Sequence, residues 1–134
     1  MTGRTVCDAS AVVALLLDGG RNGLWAQQKI SDTVLCAPAL LPFECANIIR
    51  RHELSEKVTA ERALQAHVNL IDLAIELWQY DVLAARAWEL RHNLSGYDAA
   101  YVSLAELVDA PLVTLDQRIA RSPGVRCRVE TPTR

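Results

Sequence analysis

The chain reads as an α/β protein whose parallel sheet is sandwiched between helices. Three features predict this. Short β-branched or apolar runs alternate with helix-length amphipathic stretches, so strands follow one another through helical crossovers. The strand-like runs starting at Thr5, Val34 and Pro111 end at Asp8, Pro38 and Asp116, residues that stop a strand or open a helix. One stretch, Asp98 to Val108, is apolar on nearly every side and predicts a helix buried at the centre.

The elements follow in order. Thr5-Val6-Cys7 is the first strand. Ser10 can cap a helix through Leu17, which Gly19-Gly20 stops. A second helix covers Leu24 to Ile30, and Val34 to Ala37 form the next strand. Leu40 to Arg51 read as a helix that tolerates Pro42 in its first turn. Thr59 caps a helix to Asp72 whose apolar positions are Ala60, Ala63, Leu64, His67, Val68 and Ile71. Leu73 to Leu77 make a strand, and Asp81 caps a helix with a stripe of Leu83, Ala87, Leu90 and Leu94. The central helix follows from Asp98, then a strand from Pro111 to Leu115 and a short helix from Asp116 to Arg121. Val125 to Val129, with Arg126 and Arg128 in alternation, is the last edge strand. The expected order is βααβαααβαααβαβ.

At 134 residues the chain is one domain, taken as 1–130 with a flexible tail at 131–134. No apolar run reaches the ~18 residues of a membrane span. Arg4 and the apolar run Val12 to Leu17 only faintly suggest a signal peptide, since Asp8 interrupts it and no small-residue cleavage site follows. The four cysteines, Cys7, Cys36, Cys45 and Cys127, lack metal spacing and fall in apolar runs or helices, as reduced buried thiols do. A cytoplasmic protein without membrane contact is expected. A net charge of −2 argues against a general nucleic-acid coat but not against a nuclease, because an acidic metal site lowers the charge that bound ions restore.

Asp8, Glu44, Asp98 and Asp116 carry the chemistry. In an open parallel sheet, strand ends and helix starts converge outside the carboxyl edge, where ligands bind. Each acid taken alone has a plainer reading: Asp8, Asp98 and Asp116 can serve helix starts, and Glu44 can be solvated. Four together cannot coexist without compensation, and a hard divalent cation compensates them. A metal set of Asp8, Asp98 and Asp116, holding Mg²⁺ or Mn²⁺, suits phosphodiester cleavage. No nucleophile elbow, Walker loop or zinc spacing competes, and His52, His67 and His92 read as ordinary surface or half-buried residues. A phosphoaspartate receiver and a haloacid-dehalogenase-type phosphatase both need a late lysine. Both lysines, Lys29 and Lys57, come early, and the phosphatase's second Asp is replaced by Ser10.

Four blocks then resemble a known family: Val6-Cys7-Asp8-Ala9-Ser10, Glu44-Cys-Ala-Asn47, Tyr97-Asp98-Ala-Ala-Tyr101 and Thr114-Leu-Asp116 are similar to the signature blocks of PIN-domain ribonucleases. Length and spacing resemble the stand-alone VapC-type toxins of bacterial toxin–antitoxin pairs. The resemblance implies a PIN-like fold, a short central parallel sheet flanked by helices in an α/β/α sandwich. It also implies Mg²⁺- or Mn²⁺-dependent cleavage of RNA and inhibition by a VapB-type antitoxin. Asp8, Glu44, Asp98 and Asp116 match the family's acidic quartet, and Ser10 and Thr114 its supporting hydroxyls. Asn47 matches a polar residue one turn from the glutamate. Arg50, Arg51, Arg118 and Arg121 are candidate phosphate contacts. The apolar helices between Thr59 and Leu94, with Trp78 and Trp88, suggest a homodimer. Two alternatives stand beside this reading: a catalytically idle PIN-like binding module, and a metal-dependent DNA nuclease or phosphatase using the same acids.

Overall fold

The computed structural model describes residues 3–133. Its elements are β1 (Arg4–Cys7), α1 (Ala9–Leu17), α2 (Arg21–Ile30), β2 (Val34–Pro38), α3 (Leu41–Leu54) and α4 (Ala60–Asp72). They continue with β3 (Ile75–Trp78), a 3₁₀ turn (Tyr80–Val82), α5 (Ala84–Glu89), α6 (Gly96–Leu107), β4 (Leu112–Val113), α7 (Gln117–Arg121) and β5 (Val129–Glu130). The five strands form one sheet in the order β3-β2-β1-β4-β5, with every neighbouring pair parallel.

That order places the reversal of winding at β1, whose two neighbours are β2 and β4. Crevices at such a switch point take ligands. Register fixes what meets there: Cys7 lies opposite Val113, so Asp8 and Thr114 leave the sheet side by side. The amide of Asp8 still donates to Val113 O at 3.2 Å.

Burial follows from sequence where contact is forced on all sides. Apart from the exposed Arg4 and the half-buried Val34 at their starts, β1, β2 and β4 are buried, as inner strands of a parallel sheet must be. α6 packs on β1, β2 and β4 and buries seven consecutive residues, Ala99 to Ala105. α1 packs against α2, α3 and α4, and α5 rests on α6. α2 approaches the end of α1 so closely that a Cβ at Gly23 would lie 1.7 Å from the carbonyl oxygen of Asp18. Only glycine fits there.

Several sequence expectations need correction. Asp8, not Ser10, caps α1; its carboxylate accepts from the Ala11 amide. The β2–β3 crossover holds two helices rather than three. Asp81 falls within the 3₁₀ turn rather than capping α5, although Leu83, Ala87, Leu90 and Leu94 are buried as expected. β4 and β5 are only two residues each, and Arg126 and Arg128 lie before β5. Of the tail expected at 131–134, Arg134 lies outside the described residues, and the Thr133 carbonyl accepts from Arg21 Nη2 of α2 at 3.3 Å.

The largest difference concerns α4. Its buried face is Ala63, Ala66 and Leu70, while Leu64 and Ile71 are 65% and 69% exposed and Val68 is also exposed. α4 is held against α1 and α3, and the two alanines permit that close approach. The bulkier apolar stripe is left facing outward.

Candidate metal-dependent nuclease site

Asp8 is the best-held of the four acids. It is buried at the end of β1, and its φ of −83° and ψ of 175° start α1 from an extended conformation, as an N-cap does. Oδ1 accepts from Ser10 Oγ at 2.6 Å and from the Ala11 amide at 3.1 Å, and Oδ2 accepts from Thr114 Oγ1. Both hydroxyls thereby use their single proton on one carboxylate. Their remaining lone pairs accept from the chain leaving β4: the Leu115 amide donates to Ser10 Oγ at 3.0 Å, and the Asp116 amide to Thr114 Oγ1 at 2.9 Å. This lattice ties the ends of β1 and β4 together. Burial pushes the Asp8 carboxyl above its ordinary value despite those three donors, and Asp98 adds repulsion.

Glu44 sits in the first turn of α3, half-buried, with Oε1 accepting from the Tyr101 hydroxyl at 2.6 Å. Burial raises its carboxyl, and the charges of Asp8 and Asp98 raise it further. Asp98 lies in the first turn of α6, where Ser95 is the cap and accepts from the Asp98 amide. Burial, then the Asp116 charge, raises Asp98. Asp116 caps α7 and is forked by the guanidinium of Arg118, with Nε at 3.0 Å and Nη2 at 2.7 Å. That hydrogen-bonded pair holds Asp116 below the usual carboxylate range. The repulsions run Asp8 to Asp98, Glu44 to both, and Asp98 to Asp116, so the four acids form one electrostatic group.

The donor set suits a hard cation. All four side chains offer carboxylate oxygen, and three are held in the raised range that a divalent charge would relieve. Among the described residues no three carboxylate, imidazole or thiol groups lie together as a set that could hold a metal ion. An ion that takes one or two carboxylates directly and keeps several waters needs no such set; Mg²⁺ behaves this way, and Mn²⁺ accepts the same hard oxygen ligands.

The remaining sequence candidates divide. Ser10 and Thr114 join the centre directly. Asn47 is exposed on α3 one turn beyond Glu44. Arg50, Arg51 and Arg121 are exposed, and Arg118 is committed to Asp116. Arg51 lines a groove of about 480 Å³ that opens beside Ser10 and Leu115 and mixes apolar Val13, Leu17 and Ile48 with basic Lys57 and Arg62. Sequence reasoning assigned no role to Tyr101, although it belongs to one of the quoted blocks. Its spacing from Asp98 was the available signal, because i and i+3 share a helix face.

Residues 5–125 match the family model of the PIN domain. The chain belongs to the PIN-domain family. It is 36% identical to ribonuclease VapC1 of Mycobacterium tuberculosis over 126 residues, covering 93% of this chain and 95% of that protein. The crystal structure of VapC20 of Mycobacterium tuberculosis, described as a sarcin-ricin loop cleaving toxin, shares the PIN fold. Its TM-score is 0.66 at 16% identity, covering 91% of this chain and 96% of that one. VapBC2 of Rickettsia felis, solved with a DNA fragment from its promoter, gives a TM-score of 0.64 at 15% identity, covering 96% and 98% respectively. The sequence relationship places this PIN domain with the VapC ribonucleases, and the structural likeness bears out the five-stranded parallel fold.

Proposed function

We propose that this PIN domain is the toxin of a toxin–antitoxin pair, a Mg²⁺- or Mn²⁺-dependent endoribonuclease whose centre is Asp8, Glu44, Asp98 and Asp116. The observation that carries the reading is the convergence of these four acids at the switch point of the sheet, in a chain related to VapC ribonucleases. Asp8, Asp98 and Asp116 are the proposed metal ligands. A bound ion would supply neutralising charge and Lewis acidity at the scissile phosphate. Ser10 and Thr114 keep the Asp8 carboxylate aimed, and Glu44 presents a carboxylate to the same edge from α3. Asn47 is proposed as a polar contact on the approach to Glu44.

Arg50, Arg51 and Arg121 are proposed to meet the RNA backbone, supported by their exposure and by the position of Arg51 in the groove beside Ser10. Arg118 can join them once Asp116 no longer needs it as counter-ion. The groove, apolar with a basic border, suits an amphipathic acidic segment of a VapB-type antitoxin. A homodimer is supported by the outward stripe Leu64, Val68 and Ile71 on α4. Among the described residues no helix is long and apolar enough to cross a membrane. The four free cysteines support a reducing, cytoplasmic setting.

The test offers RNA, DNA and a small phosphoester to wild-type and Asp8→Asn protein under identical Mg²⁺ and Mn²⁺. Cleavage of RNA alone, dependent on added metal and on Asp8, with growth arrest on expression that Asp8→Asn abolishes, is expected. Undiminished toxicity in soluble Asp8→Asn protein would remove metal-dependent cleavage from the account.

A further inference from the structure

Tyr101 is a core residue with one polar atom in the site. It is 2% exposed on α6, part of the hydrophobic core, and its hydroxyl donates to Glu44 Oε1. A buried phenol must find a partner. Here the partner is one of the four acids, reached from a different helix. Asp98 and Tyr101 are three residues apart on α6, so one turn of that helix carries one acid of the quartet and the donor to another.

The four acids differ in how they are held. Asp8 has three donors and a short side chain at a strand end. Asp116 is gripped by the amide and guanidinium of Arg118. Glu44 has a longer side chain with an extra torsion, projecting from a helix. Among the described residues, the Tyr101 hydroxyl is the only side-chain donor reaching its carboxylate. Without it, a flexible and half-buried carboxylate repelled by Asp8 and Asp98 would swing away from the edge where they converge.

We propose that Tyr101 is a positioning residue for RNA cleavage, holding the Glu44 carboxylate at the acidic edge through its hydroxyl. This rests on the quartet being the catalytic centre. The packing of the ring and the hydrogen bond are separable, since phenylalanine keeps the first and deletes the second. A glutamate misplaced by an ångström can lose about 100-fold in rate.

The experiment is a double-mutant cycle with Glu44→Gln and Tyr101→Phe, read as single-turnover RNA cleavage at saturating Mg²⁺ alongside melting temperature. Tyr101→Phe should lower the cleavage rate about 10- to 100-fold, with KM unchanged and the fold intact. In the Glu44→Gln background it should cost nothing further, because the residue it serves is already disabled. Glu44→Asp, which draws the carboxylate back from the hydroxyl, should mimic Tyr101→Phe and be equally insensitive to it. Should Tyr101→Phe prove too unstable to assay, 3-fluorotyrosine at Tyr101 takes its place; its altered hydroxyl acidity should change the rate in wild-type but not in Glu44→Gln protein. A wild-type rate in Glu44→Gln would overturn the quartet itself. An impaired Glu44→Gln beside an unimpaired Tyr101→Phe, or losses that multiply in the double variant, would overturn the positioning role alone.

Discussion

Thr114→Val deletes one hydroxyl from the centre of the lattice that joins β1 to β4. Thr114 is fully buried, so the change keeps shape while leaving two groups short of a partner. The Asp8 carboxylate loses the donor to Oδ2, and the Asp116 amide loses its acceptor at 2.9 Å. A hydrogen bond to a charged group contributes about 1.5–3 kcal/mol, and an unsatisfied amide costs about 1–3 kcal/mol when buried, toward the lower end at the part-buried Asp116. Valine's extra methyl recovers part of this. The net destabilisation expected at neutral pH without added metal is about 2–4 kcal/mol, against a total stability of about 5–15 kcal/mol for a domain of this kind. Urea unfolding should therefore move its midpoint down by about 1–2 M.

The pH dependence separates the two losses. Burial holds the folded Asp8 carboxyl above its ordinary value of 3.8, so its contribution to stability is full at low pH and is lost as pH rises through the raised folded value. Removing a donor to the ionised form raises that folded value further, and the loss continues over a wider range. The penalty of Thr114→Val thus grows as pH rises through the raised folded value and shrinks toward 3.8, leaving the pH-independent cost of the Asp116 amide. A penalty under about 1 kcal/mol at neutral pH, or one of equal size at both ends of the range, would refute the lattice as described.

Two further outcomes are expected. Asp98→Asn should melt at or above the wild-type temperature without added metal, because Ser95 supplies the cap and the substitution removes a charge repelled by Asp116. Millimolar Mg²⁺ or Mn²⁺ should raise the wild-type melting temperature and shift the variant much less, since a ligand of the folded state stabilises by mass action; equal shifts in differential scanning fluorimetry would argue against Asp98 as a ligand. Leu64→Lys with Ile71→Lys should convert a dimer at tens of micromolar to monomer by light scattering without lowering the melting temperature of the fold, because both side chains are more than half exposed; a monomeric wild type would remove the dimer.

Most of the architecture is written in local chemistry. Strand-ending acids, the Thr59 cap and the all-round apolar stretch from Asp98 place elements correctly because capping and periodicity act within a few residues. The acidic quartet is visible for the same reason: each member sits at or near an element boundary that the sequence marks, and parallel topology gathers such boundaries at one edge. Other features are decided by contacts that no local pattern contains. α4 carries two apolar stripes, and only its close packing on α1 and α3 selects the alanine face for burial and leaves Leu64, Val68 and Ile71 outside. Thr114 becomes a donor to Asp8 because the β1–β4 register sets Cys7 against Val113. Tyr101 meets Glu44 across 57 residues of sequence because α3 and α6 start beside the same sheet edge, and a helix pattern reports which side of a residue is apolar but not what its one polar atom will touch.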